Sequence, residues 1–230
     1  MLSSAQIRGI YRTLADAYGP LHWWPARTRF EVIVGAFLTQ NTSWKNVEHA
    51  LRNLRRAGIL NVGGIRRIAL DQLEQLIRPS GYFRQKSVRL KKFVAYLDEH
   101  HQGSLSRMFA QPVALLRKQL LNLNGVGHET ADAILLYAGK LPVFPVDAYT
   151  RRIFERHGIG SADLKYEPLR AQVENAFQPA PSRELSDHYN EFHALLVEVG
   201  KRHCGTVARC HTCPLEPLLP KRATISADHR

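Results

Sequence analysis

No stretch of this 230-residue chain stays apolar for the roughly 18 residues that a bilayer-spanning helix needs, which argues against a helical membrane protein. Cysteine is scarce: there are only three, all beyond residue 203, an odd number poorly suited to a disulfide framework. No alternation of apolar and polar residues is long enough to build a sheet, and neither an internal repeat nor a low-complexity tract is present. The opening MLSSAQIRGIYRTLADAYG places Ile7, Ile10, Tyr11 and Leu14 at helical spacing, unlike the unbroken apolar core of a targeting segment, so a cytoplasmic protein is expected. Negative charge is also short. Twenty Asp and Glu face 32 Lys and Arg, for a net charge of +12.

That surplus, with a pI near 10.0, predicts an electropositive surface and a polyanionic partner, most commonly nucleic acid. An apolar content of 44% is ordinary for a globular chain. The length suits one compact domain or two small ones sharing a cleft.

What is present reads as helix almost throughout. Thr28 is a candidate N-cap for RFEVIVGAFL, whose stripe is Phe30, Ile33, Val34 and Phe37. Ser43 is the matching candidate for a helix with Val47, Leu51 and Leu54 on its inner face, ending at Gly58. Asp71 opens a short helix closed by Pro79. Further helices are expected near 84–100, 112–121, 128–138, 148–157, 167–177 and 184–202. VGG at 62–64 and PAPS at 179–182 read as loop punctuation.

Residues 115–138, LLRKQLLNLNGVGHETADAILLYA, carry the sharpest local signal. One apolar helix runs into Gly125-Val126-Gly127, and a second begins at once with Ala131, Ile134 and Leu135 inward. Two glycines around one apolar residue permit positive φ and a tight hairpin, with Val126 as the plug between helices. Amides of the loop and of the following turn, around His128 and Thr130, then form a phosphate site that needs no basic side chain. Many helical hairpins use such a turn only structurally. The +12 chain favours DNA.

LNGVGHETADAIL followed by PVDAY resembles the signature of the helix-hairpin-helix–GPD superfamily of DNA glycosylases, typified by endonuclease III. FLTQNT at 37–42 resembles the family's segment that fills the hole left by an extruded base, and RPSGYFRQKSVRL at 78–90 its element on the opposite side of the DNA. With WWP at 23–25, the chain looks closest to the 3-methyladenine glycosylase branch. The resemblance implies an all-α fold of two helical subdomains, with the hairpin at a DNA-binding cleft between them. Residues 27–136 would form the hairpin subdomain; 1–26 plus 137–230 would form the second. The partner would be double-stranded DNA with a damaged base, bound by a monomer.

The resemblance makes Asp147 the essential carboxylate. Breaking an N-glycosidic bond builds positive charge on the sugar, which a carboxylate stabilises while orienting the attacking water. Asp147 is equally well placed to cap the helix AYTRRIFERHG, and the roles are compatible. Bifunctional relatives place a Schiff-base lysine where this hairpin has Glu129, so a monofunctional enzyme using water is expected. Trp23, Trp24 and Trp44 are candidate faces for holding the extruded base, with core packing as the alternative. Gln40 and Asn41 are candidates for probing the duplex, and Tyr82 and Phe83 for wedging into its stack. Mismatch or oxidised-base excision is the nearest rival within the class. A DNA-binding module without turnover is the rival of another class.

Cys204, Cys210 and Cys213 fall near where endonuclease III relatives carry four cysteines around a 4Fe–4S cluster. Here Leu219 stands at the fourth position, while His203 and His211 lie close by. A cluster with a substitute ligand, a Cys3His zinc site and a metal-free knot are all compatible with this spacing. Asp147 chemistry requires no cofactor.

Overall fold

A computed structural model describes residues 4–21, 26–159 and 164–220. Among them the chain is all-α, with one isolated bridge, Cys204 to Ala208, as its extended pairing. None of the described helices is long and apolar enough to cross a membrane. In order they are α1 (Ser4–Tyr18), α2 (Arg29–Thr39), α3 (Trp44–Arg56), α4 (Val62–Arg67), α5 (Leu70–Ile77), α6 (Phe83–His101), α7 (Leu105–Phe109), α8 (Val113–Leu121), α9 (His128–Ala133), α10 (Ala148–Arg156), α11 (Tyr166–Ala176) and α12 (Ser182–Arg202).

The chain divides into two compact units. The larger comprises residues 23–145 and 181–190; the smaller comprises 1–22, 146–180 and 191–230. Residues 137–145 group with the hairpin because the π-helical turn Ile134–Ala138 packs on α2. Residues 181–190 group with them because Tyr189 stands edge-on to Phe144, ring centres 5.9 Å apart.

In the larger unit α2 is the central rod. Thr28 caps it as expected, accepting from the Glu31 amide at 3.1 Å. The expected single stripe is too narrow, because every residue from Phe30 to Leu38 is buried. Such a helix is wrapped by neighbours, here α3, α6, α9 and the π turn. Its one buried acid, Glu31, pairs with Arg55, as an acid removed from water must.

Three local expectations need correction. Ser43 precedes α3 but contributes only its carbonyl; its hydroxyl makes no cap bond. VGG is not punctuation but the start of α4, capped by Asn61, whose Oδ1 accepts from the Gly64 amide at 2.7 Å. A Cβ at Gly64 would stand 2.5 Å from the Ile59 backbone, so this glycine serves close approach rather than a turn. The helix expected over 128–138 is α-helical only to Ala133 and then loosens into the π turn. The short α7 carried no sequence signal. PAPS runs directly into α12, which begins at Ser182.

The smaller unit is held by aromatic packing. Tyr11 of α1 meets Phe177 and Phe192 edge-on, at 5.5 and 5.6 Å. Arg8 Nη1 ties α1 to the end of α11 by donating to the Ala176 carbonyl at 2.7 Å.

Candidate DNA interface and carboxylate

The hairpin of the larger unit forms as its glycines suggest, but they do different jobs. Gly125 has φ +78, a conformation that favours glycine. Gly127 is extended at φ −87, ψ 175, and serves as the N-cap position of α9 with no side chain to offer. Only one of the two therefore supplies positive φ. Val126 between them is buried, as a plug should be, and its amide donates to the Leu123 carbonyl at 3.0 Å. The two hairpin helices are locked by a feature the sequence did not advertise. Arg117 of α8 grips the fully buried Asp132 of α9 through Nε at 2.6 Å and Nη2 at 2.9 Å.

Gln40 sits against this hairpin. Its Nε2 donates to the Gly125 carbonyl and to Thr130 Oγ1, both at 3.0 Å, and its Oε1 accepts from Arg89. In this arrangement the Gln40 amide braces the loop. Thr130 is buried behind it, while His128 and Glu129 are exposed at the start of α9. Asn41, the next residue, is exposed with φ +53 and forms the tip of the turn into α3.

Tyr82 makes a second tip. It has φ +47, immediately before α6, and is 65% exposed, an unusual setting for a large ring. Phe83 is half-buried, with the Arg78 and Arg84 guanidiniums 6.0 and 5.8 Å from its ring centre. Of the two wedge candidates, Tyr82 is the one presented to solvent.

Trp44 opens α3, half-buried, its indole N–H donating to Glu48 Oε1 at 2.9 Å. Trp23 and Trp24 lie outside the described residues.

In the smaller unit Asp147 is the N-cap of α10. Its Oδ1 accepts from the Thr150 amide at 2.7 Å and from Thr150 Oγ1 at 2.9 Å. Its Oδ2 lies 3.8 Å from Nε2 of His193 on α12. Burial holds the His193 imidazole below its ordinary value, against an opposing pull from Asp147. The capping role of Asp147 is thus real, and it occupies one oxygen. The side chain is largely buried, where a charge acts through a lower dielectric than water. His193 had no visible signal, since a single histidine on an apolar helix face is usually packing.

The cysteines gather around a cavity of about 20 Å³, room for one water, lined also by Arg156, His157 and Leu219. Arg156 Nη1 donates to Cys204 Sγ at 3.1 Å and to the Gly205 carbonyl at 3.0 Å, and Nη2 donates to the Thr206 carbonyl at 2.9 Å. Burial, the largest influence, pushes the Cys213 thiol above its ordinary value. Among the described residues no group of three or more His, Cys, Asp or Glu side chains is arranged to hold a metal ion. Three thiols with a leucine at the fourth place do not supply a four-thiolate cluster.

An all-α chain with a glycine hairpin, two exposed tips and a helix-capping carboxylate has counterparts among known proteins. The model of the HhH-GPD superfamily of base excision DNA repair proteins matches residues 34–179, and the chain belongs to this family. A protein of Methanocaldococcus jannaschii, provisionally named a DNA repair glycosylase, is 44% identical over 209 residues, covering 90% of this chain and 92% of its own. The crystal structure of Helicobacter pylori 3-methyladenine DNA glycosylase bound to 1,N6-ethenoadenine superposes with a TM-score of 0.74 at 30% identity, covering 87% of this chain and 98% of that one. A non-covalent endonuclease III–DNA complex superposes at 0.76 with 25% identity, covering 95% and 96%.

Proposed function

We propose that the chain is a monofunctional DNA glycosylase that hydrolyses the N-glycosidic bond of an extruded alkylated purine, with Asp147 as the catalytic carboxylate. The observation that carries this reading is the half-used state of Asp147: Oδ1 caps α10, whereas Oδ2 makes no hydrogen bond among the described residues. One oxygen fixes the side chain's direction; the other keeps its charge for the sugar. As the glycosidic bond breaks, the carboxylate stabilises the oxocarbenium-like sugar and orients the water that attacks it.

DNA is engaged by the larger unit. The hairpin and its basic surroundings hold the phosphate backbone, while Asn41 and Tyr82 enter the stack as the damaged base leaves it. Trp44, with Trp24 and Trp23, supplies aromatic surface for the extruded base. A cationic alkylated purine gains most from such faces. The 30% identity with the Helicobacter pylori 3-methyladenine enzyme supports alkylated purines over oxidised ones. Glu129 supports hydrolysis without strand cleavage, because a carboxylate forms no Schiff base.

The test is base release from duplexes carrying 3-methyladenine, 1,N6-ethenoadenine, hypoxanthine, uracil or 8-oxoguanine, with borohydride present in parallel. Release of the first two, nicking only after alkali and no trapped adduct is the expected result. Preferred release of 8-oxoguanine or uracil would move the enzyme to another branch, and an efficiently trapped adduct would overturn the monofunctional assignment.

A further inference from the structure

Lys86 is a long basic side chain in a place where lysines are seldom found. It lies in the first turn of α6, is 1% exposed, and its Nζ donates to two backbone carbonyls, Leu38 at 2.8 Å and Ser80 at 2.7 Å. Leu38 belongs to the last turn of α2, three residues before Asn41. Ser80 ends the 3-10 turn Arg78–Ser80, two residues before Tyr82. One nitrogen therefore joins the roots of the two exposed tips, whose segments are otherwise about forty residues apart in sequence.

Both tips need such support. Asn41 and Tyr82 hold left-handed backbone, at φ +53 and +47, which is unfavourable for a residue with a Cβ, more so for the tyrosine ring than for the asparagine. Conformations of this kind persist where the surroundings over-determine them. The carbonyls that Lys86 takes are helix-end acceptors with few other partners, so a buried donor satisfies them and a cation suits their dipoles. A methionine of similar length would fill the space and satisfy neither.

We propose that Lys86 is a positioning residue that locks the Asn41 and Tyr82 tips into one rigid jaw, so that both enter the duplex together when a base is extruded. This rests on the DNA-glycosylase reading for its purpose, but the coupling of the tips can be measured without DNA. Burial, with the Arg89 charge beside it, brings the Lys86 amine down to about 8, so the group still carries its proton and can donate to both carbonyls at neutral pH.

Two measurements test it. In native-state hydrogen exchange of the unaltered protein, the bonded amides of Thr42 and Gly81 report on the two tips. The jaw predicts that they open with the same free energy; clearly different values would overturn it. With duplex carrying an abasic analogue opposite 2-aminopurine, Lys86→Met, kept well below its melting temperature, should bind undamaged duplex normally. The fluorescence rise from unstacking should drop to the level of Tyr82→Ala, and single-turnover base release should fall about 10- to 100-fold. A purely structural lysine predicts a lower melting temperature with the fluorescence rise intact, which would also overturn the jaw. If the unaltered protein bound no duplex, the DNA reading would fail, and the exchange result would still decide whether the tips are coupled.

Discussion

Gln40 and Asp147 are both polar side chains beside helix ends, one in each unit, and the fold uses them in different ways. Gln40 spends its carbonyl on Arg89 and its amide nitrogen on Gly125 and Thr130. Asp147 spends one oxygen on α10 and keeps the other 3.8 Å from the His193 imidazole. A saturated side chain holds geometry; a half-saturated one holds geometry and retains charge for chemistry. Under the proposed function the larger unit is the DNA-gripping frame, and the smaller one supports the reacting carboxylate.

The largest effect expected in the frame is at Gly125. Gly125→Ala puts a Cβ on left-handed backbone and 2.0 Å from Arg89 Nε, so the Arg89 side chain that bonds Gln40 must shift. Affinity for duplex DNA, measured by anisotropy, should fall about 10-fold or more, the backbone alone costing ~1–2 kcal/mol. Gly127→Ala has open space and ordinary φ, and should bind nearly as the parent does. Equal losses at both positions would break the distinction between the two glycines.

Next comes the choice between brace and plug at Gln40. Gln40→Ala removes its bonds to the hairpin, at about 1 kcal/mol each. As a brace it should lower the melting temperature and weaken undamaged and damaged duplexes alike. Losses confined to lesion-containing DNA would instead make Gln40 a plug that abandons these bonds when bound. Trp44→Ala sharpens the picture in a comparable range, since a stacking face is worth ~1–3 kcal/mol. Excision of 3-methyladenine should suffer more than excision of neutral bases, and affinity for abasic DNA should hold; a uniform loss would return Trp44 to packing.

The smallest effect concerns pH. Lys86 titrates near 8 when folded, against 10.5 as the ordinary lysine value. The folded chain therefore holds this proton less tightly than the unfolded chain. Lys86 contributes stability that is fully present above the unfolded value and is lost as pH falls through about 8. In urea melts, the advantage of the parent over Lys86→Met should grow from pH 8 to 10. A constant or shrinking advantage would contradict that environment.

What could be read from the sequence was what neighbouring residues decide together. Thr28 and the α2 run, the Gly125 turn with its Val126 plug, and Asp147 at the head of α10 all act within one or two turns of chain, where spacing carries the information. Gly64 misled because its reason lies in Ile59 pressing against it, so a packing glycine looked like a breaker. Lys86 and Arg89 were lost in a chain rich in basic residues, their meaning set largely by the Leu38 carbonyl and the Gln40 amide, 48 and 49 residues away. The same distance hid His193 from Asp147. At the cysteines, three thiols and Leu219 already rule out four thiolates, while the spacing leaves the other ligand sets open.

Catalysis by this chain, as proposed, turns on whether the Asp147 charge does chemistry beyond capping. Asparagine caps a helix about as well as aspartate, so Asp147→Asn should melt near the parent temperature and keep its affinity for duplex bearing an abasic analogue. Single-turnover release of 3-methyladenine should nevertheless fall by about 10²–10³-fold or more. Release at the parent rate would show that Asp147 is a cap alone, and the catalytic carboxylate would have to be sought elsewhere.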